Sequence, residues 1–181
     1  LRDNFVFNDL THPGSITAIR IEGSKISTEQ RINNLIKDLS LIDKNITVLD
    51  SVQSEIFWED TRSLKVFSKN QKNILRAVIP SSETTNLINR LKSFHPNYFI
   101  DWGGSLIWLE LDYLSSQKID QIRNRILVAD GYLTVIKSQE SIKSSLEIFT
   151  IDPIKFKISQ NLKKSFDPKR IFNPGKMYTG I

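Results

Sequence analysis

The 181-residue sequence predicts an α+β fold, a ferredoxin-like β-α-β-β-α-β unit extended by an amino-terminal β-α-β. Its sheet is mainly antiparallel, with the helices on one face. Two observations carry this. Short β-branched runs alternate with stretches whose apolar residues recur at helical spacing. A Gly103-Gly104 pair also joins two apolar runs, and paired glycines supply the positive φ angles of a tight hairpin.

Taken in order, Ile16–Glu22 reads as a strand closed by Gly23. Ser27 caps a helix with Gln30 at the capping-box position, and Ile32, Leu35, Ile36 and Leu39 form its inward stripe. Ile46–Leu49 is a short β-branched strand. Ser54–Leu64 reads as a helix or, through Phe57-Trp58, as a loop packed on the core. Ile74–Ile79 is a strand ended by Pro80, and Ser81 or Ser82 caps a helix with Leu87, Ile88 and Leu91 inward. Tyr98–Trp102 and Ser105–Leu111 are the hairpin strands. Ser115 or Ser116 starts a helix with Ile119, Ile122 and Ile126 inward, ending near Gly131, and Tyr132–Ser138 closes the sheet. After a polar, linker-like stretch at Lys137–Ser145, Asp152 caps a last helix, Pro153–Ser165, with proline in its first turn.

The hairpin sets the faces. A two-residue turn at Gly103-Gly104 pairs Asp101 with Leu106, Ile100 with Ile107 and Phe99 with Trp108. Tyr98, Ile100, Ile107, Leu109 and Leu111, with Leu75, Ala77 and Ile79, share the face the helices cover. Phe99, Asp101, Leu106, Trp108 and Glu110, with Arg76 between Ile74 and Val78, share the other. Arg76 is explained either by a salt bridge to Glu110 or as a fork for a substrate carboxylate. Arg20, between Ile19 and Ile21, allows the same two readings. Asp101 is a general base or a hydrogen-bonded hairpin residue. Phe99 and Trp108 read as core or interface aromatics ahead of a stacking platform.

Composition narrows the function. There are no cysteines, which removes disulfides, thiolate catalysis and iron–sulfur ligation. The two histidines, His12 and His95, each precede a proline far apart, so a histidine metal site is not expected. No apolar run reaches the roughly 20 residues a membrane span needs. The net charge of +5 is dispersed, with Lys163-Lys164 and Lys169-Arg170 the only adjacent basic pairs, and this reads as a solvated surface. The seven glycines contain no Gly-x-Gly-x-x-Gly and no P-loop, so nothing in the chain would cradle a pyrophosphate. A chain opening on Leu1 is expected of a piece of a longer or processed protein.

The carboxy-terminal string Ser165-Phe166-Asp167-Pro168-Lys169-Arg170-Ile171-Phe172-Asn173-Pro174-Gly175-Lys176 is the most distinctive segment. Asp167-Pro168 stops the helix, Ile171-Phe172 is expected to anchor the chain, and Asn173-Pro174-Gly175 turns it to deliver Lys176 and Tyr178. The string resembles the closing signature of the FAD-linked oxidases of the vanillyl-alcohol-oxidase superfamily. Ile19-Arg20-Ile21-Glu22-Gly23, Ile56-Phe57-Trp58, Leu75-Arg76-Ala77-Val78-Ile79-Pro80, Asp101-Trp102-Gly103-Gly104-Ser105-Leu106-Ile107-Trp108 and Gly131-Tyr132-Leu133-Thr134 resemble, within it, the FAD-binding E subunits of glycolate oxidase. The resemblance covers nearly the whole chain.

The resemblance implies that residues 1–181 form a single carboxy-terminal cap domain, with a flavin-binding domain upstream of residue 1. The parent protein would be an FAD-dependent oxidoreductase acting on CH–OH groups, oxidising glycolate or a similar 2-hydroxy acid. Its partners would include other glycolate oxidase subunits, one of them an iron–sulfur subunit, to which electrons pass. The fragment alone would hold no FAD and no metal. Cytoplasmic placement follows, with peripheral attachment to the inner membrane through the complex. Arg76 and Asp101 are the implied catalytic positions, Phe99, Trp108 and Arg20 the substrate-facing ones, and Asn173 and Lys176 would point toward the flavin domain. In the related D subunits the hairpin reads His-x-Gly-Asp-Gly-Asn-x-His, and those histidine positions fall on Asp101 and Trp108. The chain therefore departs from that metal- or proton-handling pair, and an electron-passing or assembly role stands beside catalysis.

The competing class is a ferredoxin-like binding module, a small-molecule sensor or a single-stranded RNA binder. RNA binding is disfavoured, because Ser105-Leu106-Ile107-Trp108-Leu109-Glu110 lacks the aromatic RNA-binding motif and Glu110 and Asp112 repel phosphate. No nucleic-acid partner is expected.

Overall fold

The computed structural model describes residues 4–7, 10–67, 73–139, 142, 146–175, 178 and 181. The chain divides into two compact units, Arg2–Val66 and Phe67–Ile181.

In the Arg2–Val66 unit, β1 (Asn4–Phe7) and β2 (Leu10–Pro13) pair antiparallel in a hairpin that the sequence did not announce. Helix α1 (Lys25–Leu39) begins at Ser24 rather than Ser27, so the expected capping box is not formed. Thr28 instead returns its hydroxyl to the Ser24 carbonyl at 3.1 Å. Helix α2 (Ser51–Arg62) does carry a capping box: the Asp50 carboxylate accepts from the Gln53 N–H at 2.8 Å, and the Gln53 side chain accepts from the Asp50 N–H at 3.1 Å. Phe57 is buried within this helix, which settles the helix-or-loop choice.

Residues 16–22 and 46–49 were expected as strands and form none, so they add nothing to a sheet. The reason is that β propensity expresses fit to a pleated, half-buried surface, and a β-branched run without a ladder partner has no sheet to join. Ile19 is 55% and Val48 53% exposed. The two segments instead line a cavity of about 620 Å³ together with the half-buried stripe Ile32, Leu35, Ile36 and Leu39 of α1.

The Phe67–Ile181 unit holds the predicted β-α-β-β-α-β order. It consists of β3 (Asn73–Val78), α3 (Thr84–Leu91), β4 (Asn97–Asp101), β5 (Leu106–Leu111), α4 (Ser116–Leu127) and β6 (Tyr132–Lys137). The strands lie in the order β4-β5-β3-β6, and every pairing is antiparallel. This is the ferredoxin-like arrangement, in which each βαβ crossover leaves room for a strand between its two ends. Ser115 caps α4, its hydroxyl accepting from the Lys118 N–H at 3.2 Å. A short stretch runs beside β6 as an added edge: the Val135 N–H donates to the Ile148 carbonyl at 2.8 Å and the Thr150 N–H to that of Leu133 at 2.9 Å. Asp152 then caps α5 (Pro153–Phe166), accepting from the N–H groups of Ile154 and Lys155 at 2.8 and 3.0 Å.

The core lies where the alternation put it except at Ile100, which was expected under the helices but is 44% exposed on the edge strand β4. Leu75, Ala77, Ile107, Leu109, Leu111 and Leu133 from the sheet meet Leu87, Ile88 and Leu91 of α3 and Ile119, Ile122 and Ile126 of α4. Burying each such side chain contributes roughly 1.5–3 kcal/mol, which makes this face the main source of the unit's stability. Gly131 is required at the α4–β6 junction by space rather than by φ. A Cβ there would stand 2.3 Å from the Ile79 Cγ2 and 2.8 Å from that of Ile126. Gly131→Ala should destabilise the unit by about 1–3 kcal/mol through overpacking, read as a lowered midpoint in urea denaturation. An unchanged midpoint would mean that the junction opens without cost.

Candidate active site

The hairpin between β4 and β5 positions the candidate residues. Gly103 and Gly104 adopt φ of +59° and +104°, and the Ser105 N–H closes on the Trp102 carbonyl at 3.3 Å. Gly104 also packs against Ser81, whose Cβ would lie 3.2 Å from an added side chain, while the Thr84 hydroxyl donates to the Gly104 carbonyl. The turn is thereby tied to the start of α3. The resulting register pairs Asp101 with Leu106 and Phe99 with Trp108, as the two-glycine turn predicted, and the neighbouring strand sets Arg76 opposite Trp108. Across β3, Arg76 also faces Thr134 of β6.

Side chains at directly paired positions share a face. Phe99, Trp108, Arg76 and Thr134 thus form one row across the sheet, on the side away from α3 and α4. The neighbouring row toward the hairpin contains Asp101, Leu106, Val78 and Tyr132, and the row beyond contains Asn97, Glu110 and Ile74. This face is less open than its composition implied. Ile74, Leu106 and Glu110 are buried, whereas Trp102 is 59% exposed at the hairpin end.

Arg76 does not bridge to Glu110. The register explains why: Arg76 lies opposite Trp108, whereas Glu110 lies opposite Ile74 and Asn97, where it accepts from the Asn97 amide at 3.0 Å. The guanidinium carbon of Arg76 instead lies 5.3 Å from the Trp102 ring centroid and 5.9 Å from that of Trp108, within cation–π range of both. Its Nε is buried and meets no acceptor among the described residues. Phe99 stacks on Trp108 with centroids 6.1 Å apart and planes inclined by 19°, and Phe67 packs on Phe99 at 5.4 Å. The arrangement is an arginine flanked by aromatic rings, with hydrogen-bonding capacity left over.

Asp101 is partly committed. Its Oδ1 accepts from the Trp102 N–H at 2.7 Å, the hydrogen-bonded hairpin role that the sequence allowed, and its second oxygen remains for other chemistry. Strand spacings place the Asp101 and Arg76 backbones about 12 Å apart, and Trp102 links them, bonded to one and stacked on the other. Arg20 belongs to the other unit, Arg2–Val66, where it lies in no strand and pairs with Glu22 at 2.5 Å. Trp102 is the residue that sequence reasoning passed over. Its signal was its place beside the glycine pair, where a turn exposes whatever side chain it carries.

The tail is organised by Asp167. Its carboxylate accepts from Lys163 Nζ at 2.6 Å and from the N–H groups of Ile171 and Phe172 at 2.9 and 3.0 Å. The Lys163 hydrogen bond, helped by the two backbone donors, holds its pKa down at about 2. The expected anchor Ile171-Phe172 is not one: both side chains are about two-thirds exposed. The turn at 167–172 is fixed by polar bonds to Asp167, so the apolar pair is not needed to hold it. Tyr178 makes the apolar contact instead, packing against Phe149 at 5.8 Å and Phe156 at 5.6 Å. Asn173 is exposed with φ of +45°, and Lys176 lies outside the described residues.

The fold and this face define a ferredoxin-like α+β protein with an aromatic-flanked arginine on its sheet. Compared with known proteins, the chain is similar to the glycolate oxidase subunit GlcE of Escherichia coli (strain K12), with 28% identity over 126 residues. The match covers 69% of this chain and 32% of GlcE, so the chain spans about a third of that relative's length. No family model matches the chain, and no solved structure matches it. Among the described residues no helix is long and apolar enough to cross a membrane, and no cluster of His, Cys, Asp and Glu is suited to a metal ion.

Asp167 makes a testable pH signature. A carboxylate depressed below its unfolded value stabilises the folded tail at higher pH, and that contribution is lost as pH falls from about 4 through its folded pKa. The Ile171 and Phe172 amide resonances should therefore shift together with a midpoint near pH 2. Asp167→Asn should remove that transition, and amide shifts that titrate near pH 4 would show the turn is not held this way.

Proposed function

We propose that the chain is the substrate-covering cap domain of a flavin-dependent 2-hydroxy-acid oxidase or dehydrogenase subunit related to glycolate oxidase. The observation that carries this reading is Arg76: a permanently charged fork in mid-sheet, its Nε buried without an acceptor among the described residues. A substrate carboxylate would complete it, bound by two N–H groups in a site partly closed to water, where such a pair strengthens. The second Asp101 oxygen would then polarise or accept the hydroxyl proton, while its first stays on the Trp102 N–H.

FAD, in the parent protein, would receive the electrons of this oxidation. The described residues do not fit the cofactor's pyrophosphate, since their positive-φ glycines are dispersed at 14, 23, 103, 104 and 175 and form no phosphate loop. No step of the chemistry is therefore assigned to a flavin held by these residues. Another part of the parent would carry it, with the exposed Asn173 of the tail available to that part. The exposed stripe Ile154, Ile158, Leu162 and Phe166, at i, i+4 spacing along α5, supports a covering partner there. The parent's own flavin-binding domain is the proposed cover, with further oxidase subunits, including an iron–sulfur subunit, beyond it.

In a full-length protein carrying this chain, Arg76→Lys should raise the KM for glycolate about tenfold with little change in kcat, because a lysine cannot supply the planar two-donor fork. Asp101→Asn should lower kcat about a hundredfold if the carboxylate takes the proton. Both variants are compared with wild type at matched thermal stability. Wild-type kinetics in both, with normal assembly, would transfer the sheet face to a scaffold role.

A further inference from the structure

We infer that the Arg76 site selects acids bearing a planar or aromatic side group over the two-carbon acid glycolate. This inference rests on the proposed carboxylate role of Arg76 and adds the class of substrate to it.

Three features point the same way. Trp102 holds a φ of +52°, an unfavourable region for a bulky side chain, and its N–H is fixed by Asp101 at 2.7 Å. Such a conformation persists where the surroundings enforce it, and the result is a large indole kept 59% exposed beside a cation. Trp108 also lies within cation–π range of the guanidinium and is itself stacked on Phe99. Of the two indoles near the guanidinium, Trp102 is the exposed one.

A bidentate carboxylate would approach the guanidinium in its own plane, along the edge carrying the N–H groups. Its remaining substituent would then lie alongside the Trp102 ring. Glycolate has no group to place there, so the exposed indole would contribute nothing to holding it. A phenyl-bearing acid would cover the ring in an offset or edge-on arrangement, at the centroid separations aromatic pairs favour. Stacking of that kind corresponds to about a threefold to tenfold gain in affinity.

The test is calorimetric titration of a full-length protein carrying this chain, kept anaerobic and reduced so that no turnover occurs, with glycolate, mandelate and the neutral mandelamide. Mandelate should bind about threefold to tenfold more tightly than glycolate, and mandelamide should not bind measurably. Trp102→Ala should bring mandelate and glycolate to equal affinity, so the readout is the ratio of the two affinities and not either one alone. Trp102→Phe should keep part of the preference, and circular dichroism checks that each variant is folded. Equal affinity for glycolate and mandelate, or a preference that survives Trp102→Ala, overturns the aromatic selectivity and leaves the carboxylate reading standing. Failure of the folded wild-type protein to bind either acid, or equal binding of mandelamide, overturns both.

Discussion

The register of the β4–β5 hairpin is the constraint on which the candidate site depends. In a strand the side-chain period is two, so a slip of one residue would send Trp108 under the helices and bring Ile107 and Leu109 out. The slip is prevented twice. The Gly103-Gly104 turn admits one closure, at Trp102 and Ser105. The Ser81 contact and the Thr84 hydroxyl then hold Gly104 against the start of α3. Packing adds its own penalty, because Ile107, Leu109 and Leu111 are almost wholly buried on the helical side. Fold stability and site geometry therefore have a common origin, and Arg76 meets Trp108 because the core demands that pairing.

Much of the Phe67–Ile181 unit was legible in the sequence because its signals agreed across levels. Strand alternation, a two-glycine turn, capped helices and apolar stripes all specified one arrangement. The Ile119, Ile122 and Ile126 stripe and the Phe99–Trp108 pairing are examples. The segments 16–22 and 46–49 carried a propensity without a partner. A β-branched run records suitability for a sheet, and only the other strand decides whether a ladder forms. Ser27 failed as a cap for a related reason: Ser24, three residues earlier and next to Gly23, offered the extended backbone a cap requires.

The site was legible in position more than in partnership. Register placed Arg76, Trp108, Phe99 and Asp101 on one face, but charge complementarity wrongly paired Arg76 with Glu110. The two are diagonal neighbours, and Asn97 lies directly across from Glu110 with an amide to donate. Arg76 is left among rings, where a weakly hydrated guanidinium is at less disadvantage than an ammonium would be. The tail shows the same distinction. Phe-Asp-Pro was readable as a helix stop, whereas the threefold use of Asp167, by Lys163 and two backbone N–H groups, depends on a turn that composition alone does not specify.

These arrangements bear on what aspartate and tryptophan do at positions 101 and 108, the two positions onto which the histidine pair of the D-type hairpin pattern falls. A histidine pair handles protons or a metal through its ring nitrogens. Asp101 instead spends one oxygen on fixing the turn, and Trp108 offers a π face to Arg76. On the proposed reading, recognition of the acid would rest on Arg76, and any proton transfer on the remaining Asp101 oxygen alone. If Asp101 serves the turn only, the face retains binding without catalysis, and the chain's role moves toward recognition within a larger assembly. The exposed α5 stripe is compatible with either outcome, since a cap and a scaffold both need a covering partner. The decisive difference is therefore local to a single carboxylate: whether its second oxygen meets a substrate hydroxyl or only solvent.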